Sequence, residues 1–213
     1  MKAPTTETPV GAVPGLPPDL VALLSPALHP LCSALDPARG TRLFATGARP
    51  AHLFFIERGE AVLERPGLHG EVVVLQRTRR GFIGEASLQF ERYHCDARVL
   101  TDAHITRLPV PAVRAALASD PAFASRWIGM LNREVRRLRL QCERLALHRV
   151  QDRVLHLLAT EGEAGCYPVP GGLKSLAAEL GVTHEALYRA LAALEQAGRL
   201  KREDGVLRWV PLA

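Results

Sequence analysis

The sequence predicts an α+β protein: an N-terminal antiparallel β barrel or sandwich, one long helix, and a C-terminal winged helix-turn-helix. Three observations carry this. Between Thr41 and Pro109, short apolar runs alternate with glycine turns. After Asp120, apolar residues recur at spacings of 3, 4, 3, 4 and 3. From Gly172 to Trp209, two short amphipathic segments precede two arms around Asp204-Gly205.

The chain has 213 residues, 47% of them apolar and 23% charged, a globular composition with room for one or two cores. Residues 1–18, rich in Pro, Thr and Gly, predict a tail without fixed structure. Asp19 to Leu35 predicts one or two short helices broken by Pro26 and Pro30. Strands are expected at 52–56, 61–63, 72–75, 97–100 and 104–108, with turns at Gly47, Gly59, the Pro66-Gly67…Gly70 loop and Gly81.

Asp120-Pro121 supplies a helix cap followed by proline in the first turn. The helix is expected to run to about Leu147. Ile128, Leu131, Val135, Leu138, Cys142 and Leu145 form its a/d seam. A strict a/d stripe is narrower than a globular packing face, which favours a two-stranded homodimeric coiled coil over a helix packed on its own domain.

In the last segment Leu173, Leu176, Ala177 and Leu180 share one helical face, Gly181 interrupts, and Thr183 caps a second helix with Leu187, Leu191 and Leu194 inside. Gly198 ends it, and 200–209 reads as a β-hairpin. Thr183, His184, Glu185, Tyr188 and Arg189 lie away from the leucine stripe. They are free to meet base edges and phosphates, which predicts DNA contacts; the alternative is an α-hairpin in an ordinary core. Lys201 and Arg202 on the wing are expected to meet phosphates. From Arg149 onward there are eight Lys and Arg against eight Asp and Glu, so positive charge there is local, within a chain of net charge +5.

Cys32, Cys95, Cys142 and Cys166 are scattered, with no paired spacing for a zinc finger or clustered iron–sulfur site. No apolar run is long enough to span a bilayer and no signal-peptide pattern opens the sequence, so a reducing cytoplasm and no membrane partner are expected. No Ser-His-Asp constellation, phosphate loop or zinc-protease motif points to an enzyme.

Together these parts resemble the cyclic-nucleotide-receptor and fumarate–nitrate-reductase-regulator (Crp/Fnr) superfamily of bacterial transcription factors, over about Leu20 to Trp209. Gly47, Phe54-Phe55-Ile56 and Gly59 match one of its patterns. Gly81-Phe82-Ile83-Gly84-Glu85 matches the opening of its phosphate-binding cassette, and Gly181 to Arg189 matches its recognition helix. The resemblance implies a cyclic-nucleotide-binding-like β-roll sensor at 19–119, a dimerisation helix at 120–148 and a winged helix-turn-helix at 149–213. It also implies homodimeric binding to an inverted repeat in double-stranded DNA, with RNA polymerase as a partner if the protein activates.

The chain departs from the family where nucleotide binders carry an Arg-Ser pair: those positions hold Cys95 and Asp96. Asp96 would repel a phosphate, and the bidentate donor is lost. The adenine-contacting Thr-Ser pair of the long helix falls on Leu138 and Arg139, whereas Glu85, which would hold the ribose, is kept. These departures argue against cyclic AMP or GMP. In the cleft where the resemblance places ligands, Glu85, His94, Cys95 and Asp96 are the candidate effector residues. His94 and Cys95 are candidate ligands for a metal ion or haem, or a redox sensor. Successive strand residues point to opposite faces, so the competing expectation is a buried thiol beside an exposed imidazole. The expected function is a transcription regulator gated by a metal, haem or redox signal through a Leu147–Asp152 hinge. The alternative is a constitutive DNA binder whose β-roll is only a dimer scaffold.

Overall fold

The structure is a computed structural model that describes residues 15–67, 72–169 and 172–210. Residues 1–14 of the expected tail and 68–70 of the expected loop lie outside these. The chain forms two compact units, Met1–Met130 and Leu131–Ala213.

The first unit opens with α1 (Pro18–Leu23) and a 3₁₀ turn at Pro26–Leu31. Pro26 begins that turn rather than breaking a helix, because its fixed φ suits a first helical position and no N–H is needed there. Residues 33–35, expected as helix, are instead strand β1 (Ser33–Leu35), paired with the far end of β6 (Asp96–Pro109). In sequence order β2 is Arg42–Phe44, β3 His52–Pro66, β4 Val72–Thr78 and β5 Gly81–Ile83. The sheet runs β1-β6-β3-β4, with β2 on β6 and β5 on β3.

Two expected pairs of short strands are each one long strand. The reason lies at Gly59, which does not reverse the chain. It sits inside β3 at φ +92°, where the register against β6 shifts. A Cβ there would stand 2.6 Å from the carbonyl oxygen of Asp102 and 2.7 Å from Cα of Ala103. The glycine is a bulge at a close backbone approach.

Phe44, Phe54, Ile56, Leu63, Ile83, Tyr93, Cys95, Val99 and Ile105 fill the interior of the roll. The helix α2 (Val110–Ser119), not anticipated from the sequence, leaves β6 directly, and its Val110 N–H bonds the Ala51 carbonyl at 2.9 Å. Then comes α3 (Pro121–Ala146), whose cap is as expected: the Asp120 carboxylate accepts from the Phe123 N–H at 2.9 Å. Phe123 and Trp127, one turn apart and buried, meet Phe82 edge-on through Trp127 at 5.0 Å.

In the second unit α3 ends at Ala146 and α4 spans Val150–Glu161, so the helix is interrupted at 147–149, within the segment expected as a hinge. The break is stapled. The Arg153 guanidinium donates to the carbonyls of Leu145 (3.2 Å), Leu147 (2.8 Å) and Leu180 (2.8 Å). Arg144, which is not one of the a/d seam residues, is fully buried and pairs with Glu161. Strand β7 (Cys166–Pro168), α5 (Gly172–Glu179), α6 (His184–Gln196), β8 (Leu200–Glu203) and β9 (Val206–Trp209) complete the unit. The hairpin turns as expected: Asp204 and Gly205 both take positive φ, the geometry of a tight two-residue turn. The unanticipated β7 pairs with β9 and makes the wing a three-stranded sheet. Val154, Leu157, Leu158, Leu176, Leu180, Leu187, Leu191 and Leu194 form the common core.

Candidate nucleic-acid interface

The presentation of α6 follows from its burial pattern. The Thr183 hydroxyl accepts from the Ala186 N–H at 3.2 Å and sets the first turn. Leu187, Ala190, Leu191 and Leu194 are buried against α4 and α5. The opposite side presents Thr183, Glu185, Tyr188 and Arg189 exposed and His184 half-buried. The His184 and Tyr188 rings meet edge-on at 4.5 Å, which restrains both at the helix start. The Glu185 carboxyl is held below its usual range, first by its own backbone N–H and by Thr183, then by the charges of His184 and Arg189. It therefore stays an acceptor at neutral pH.

On the wing, Lys201 is exposed as expected. Arg202 is also at the surface but is engaged. Its Nε and Nη2 bond the two Glu195 oxygens at 2.8 and 2.6 Å, and its guanidinium carbon lies 6.0 Å from the Tyr188 ring. The pair holds the Glu195 carboxyl below, and the Arg202 guanidinium above, its ordinary range. Arg202 thus ties β8 to α6. Both partners are about one-third exposed, so the pair contributes at most about 1 kcal/mol. Its effect is to fix where the wing stands beside Tyr188. The signal available in the sequence was the opposite charge of Glu195 and Arg202 on either side of the Gly198 turn.

The second set of candidates is only partly brought together. Just ahead of β6, burial alternates: Tyr93 in, His94 out, Cys95 in, Asp96 partly out. Cys95 lies in the roll core, and its burial pushes the thiol pKa up, against the thiolate that a metal or redox site needs. The exposed His94 has its Nδ1 3.3 Å from the Ser87 hydroxyl. The two therefore do not face one metal, and the outcome is the competing expectation of a buried thiol beside an exposed imidazole. Among the described residues no group of three or more His, Cys, Asp or Glu is placed to hold a metal ion. Glu85 starts a single 3₁₀ turn after Gly84 and is half-buried.

Asp96 accepts from the Thr46 N–H at 2.6 Å, and this bond, ahead of the charge of Arg42, holds its carboxyl below the ordinary value. A depressed pKa stabilises the fold above the unfolded-state pKa of about 3.9 and loses that contribution as pH falls through the folded-state value. Asp96→Asn is expected to leave a shallower decline of melting temperature over that acid range than the parent chain shows. Parallel declines would mean that the bond is not populated in solution.

Residues 37–120 match the family model described as the cyclic nucleotide-binding domain. No curated protein matches the sequence. Among similar solved structures, FixK2 from Bradyrhizobium japonicum is 16% identical with a TM-score of 0.68, over 84% of this chain and 93% of that one. A putative cAMP-binding regulatory protein from Silicibacter pomeroyi DSS-3 is 22% identical with a TM-score of 0.60, over 90% of each chain. The c-di-GMP responsive global regulator CLP of Xanthomonas campestris is 20% identical with a TM-score of 0.60, over 85% of this chain and 95% of that one. At these identities the likeness is one of fold. No helix among the described residues is long and apolar enough to cross a membrane. The chain therefore shares the α+β fold of these solved structures, and its residues 37–120 match the cyclic nucleotide-binding domain model.

Proposed function

We propose that the chain is a homodimeric, sequence-specific DNA-binding transcription regulator of the Crp/Fnr type, without enzymatic activity and gated by an effector other than cyclic AMP. The observation that carries this reading is α6: capped, buried along one stripe, and presenting Thr183, His184, Glu185, Tyr188 and Arg189 beside a wing that bears Lys201. Dimerisation is supported by the a/d seam, which the single chain leaves uncovered: Ile128, Val135, Leu138 and Leu145 are 56, 45, 37 and 40% exposed, and Cys142 is exposed with them. A two-fold protein reads a two-fold site, with half-sites about 34 Å apart.

Cyclic AMP is disfavoured because Asp96, held ionised by Thr46, and the core-facing Cys95 occupy the places of the phosphate-holding pair. The fold leaves the effector open, since one neighbour is named for c-di-GMP and another for cAMP. A constitutive regulator is the second reading. Phe44 stacks on Tyr93 at 3.8 Å against Gly84, and these rings occupy roll interior next to the cassette.

The test begins with selection of an operator from a randomised duplex library by the full chain, followed by anisotropy titrations against salt. Arg189→Ala is expected to cost about 1–3 kcal/mol and to relax one position per half-site. Lys201→Ala is expected to weaken all sequences alike and to lower the salt slope by about one. An Arg189→Ala protein with unchanged base preference would remove α6 as the reading helix. Cyclic AMP added to the parent chain is expected to leave operator affinity unchanged; a shift overturns the effector argument.

A further inference from the structure

Outside the roll interior, a cavity of about 490 Å³ is lined by Arg49, Pro50, Gln89, Phe90, Glu91, Arg92 and Arg114. Three guanidiniums face one carboxylate there, an excess of two positive charges. The walls come from three places: the loop after β2, the segment that follows the Glu85–Ser87 turn, and α2. Nothing in the DNA-binding reading uses them.

The walls are cross-tied. The Gly47 N–H bonds the Tyr93 carbonyl at 2.8 Å, and the Tyr93 N–H bonds the Ala48 carbonyl at 2.9 Å. Arg92 Nη1 donates to the Gly47 carbonyl at 2.8 Å. Arg114, from α2, donates through Nε to the Leu88 carbonyl at 2.5 Å and through Nη2 to the Phe90 carbonyl at 3.2 Å. A guanidinium carries five N–H donors, so these bonds orient the two side chains and leave most of their donors for a ligand. Little ordering then remains to be done on binding, which is where pre-organised sites gain affinity.

We propose that this cavity binds a nucleoside polyphosphate. Guanidiniums match phosphate oxygens as planar, paired donors, and an excess of two positive charges calls for a ligand with at least two negative ones. The volume lies within the range of small-molecule sites. Phe90, 64% exposed at the cavity edge, offers a ring face on which a base stacks. The site is distinct from the cassette position held by Cys95 and Asp96. It also stands apart from the DNA-binding reading, because it is measured on the free chain.

Calorimetric titration of the full chain with ATP, GTP and inorganic pyrophosphate tests it. Saturable binding is expected below about 1 mM for both nucleotides, and weaker for pyrophosphate. Arg49→Glu reverses a charge on an exposed loop residue that holds no wall together. It is expected to weaken all three ligands by roughly tenfold or more while the melting temperature stays put. Phe90→Ala is expected to weaken the nucleotides and spare pyrophosphate. No saturable heat with any of the three, or equal affinity in the Arg49→Glu chain, overturns the site. Nucleotides bound no tighter than pyrophosphate, or unmoved by Phe90→Ala, overturn the nucleoside assignment.

Discussion

Leu138→Glu is expected to abolish the dimer and, with it, operator binding. Leu138 lies at the middle of the seam on α3, with its neighbours Leu131, Val135 and Cys142 on the same stripe. In a two-fold coiled coil each chain would bring a carboxylate to face its copy. An uncompensated buried charge costs about 3–5 kcal/mol. In the single chain the side chain is already 37% exposed, so the fold of its own unit loses little, within about 0.5 kcal/mol. Sedimentation equilibrium and operator anisotropy should fall together while the melting curve of the monomer holds. A Leu138→Glu protein that still sediments as a dimer would place the interface elsewhere.

Gly59→Ala is expected to destabilise the first unit by about 3 kcal/mol or more. A left-handed backbone alone costs a non-glycine residue on the order of 1–3 kcal/mol. Here the new methyl would also meet the Asp102 carbonyl at 2.6 Å, so β3 and β6 must separate at their bulge. Gly47 gives the internal comparison: its φ is +80° but nothing lies within 4 Å of its missing Cβ. Gly47→Ala is expected to cost only about 1 kcal/mol. Urea unfolding of both variants separates the two causes. Equal losses would show that backbone strain, rather than the close approach of β6, makes glycine necessary at position 59.

Much of the architecture was legible in the sequence because its signals are local. The 3-4 spacing after Asp120, the Thr183 cap and the Asp204-Gly205 turn each depend on residues within one or two turns of chain, and each stands in the structure as expected. The polar face of α6 follows from the same periodicity, since a buried stripe at Leu187, Leu191 and Leu194 leaves the other side outward.

What only the tertiary structure decided is partner choice across long stretches of chain. Gly59 is punctuation when read alone, and becomes a bulge only because Asp102 and Ala103 pack against it. Cys95 beside His94 reads as a ligand pair by composition, but the roll turns the thiol inward and the imidazole outward. Arg202 is expected at phosphates, but only the fold shows that its fork also holds Glu195, and only the fold buries Arg144 against Glu161. Arg49, Arg92 and Arg114 have no spacing that relates them; the cavity exists because the loop after β2 is bonded to Tyr93 through Gly47 and Ala48 and to α2 through Ala51. Periodicity and capping are properties of a few consecutive residues, so the sequence determined which segments are helices and turns and which helix face points outward. The environment of a charged or sulfur side chain depends on groups tens of residues away, so only the folded chain determined which of them are engaged and which remain for a ligand.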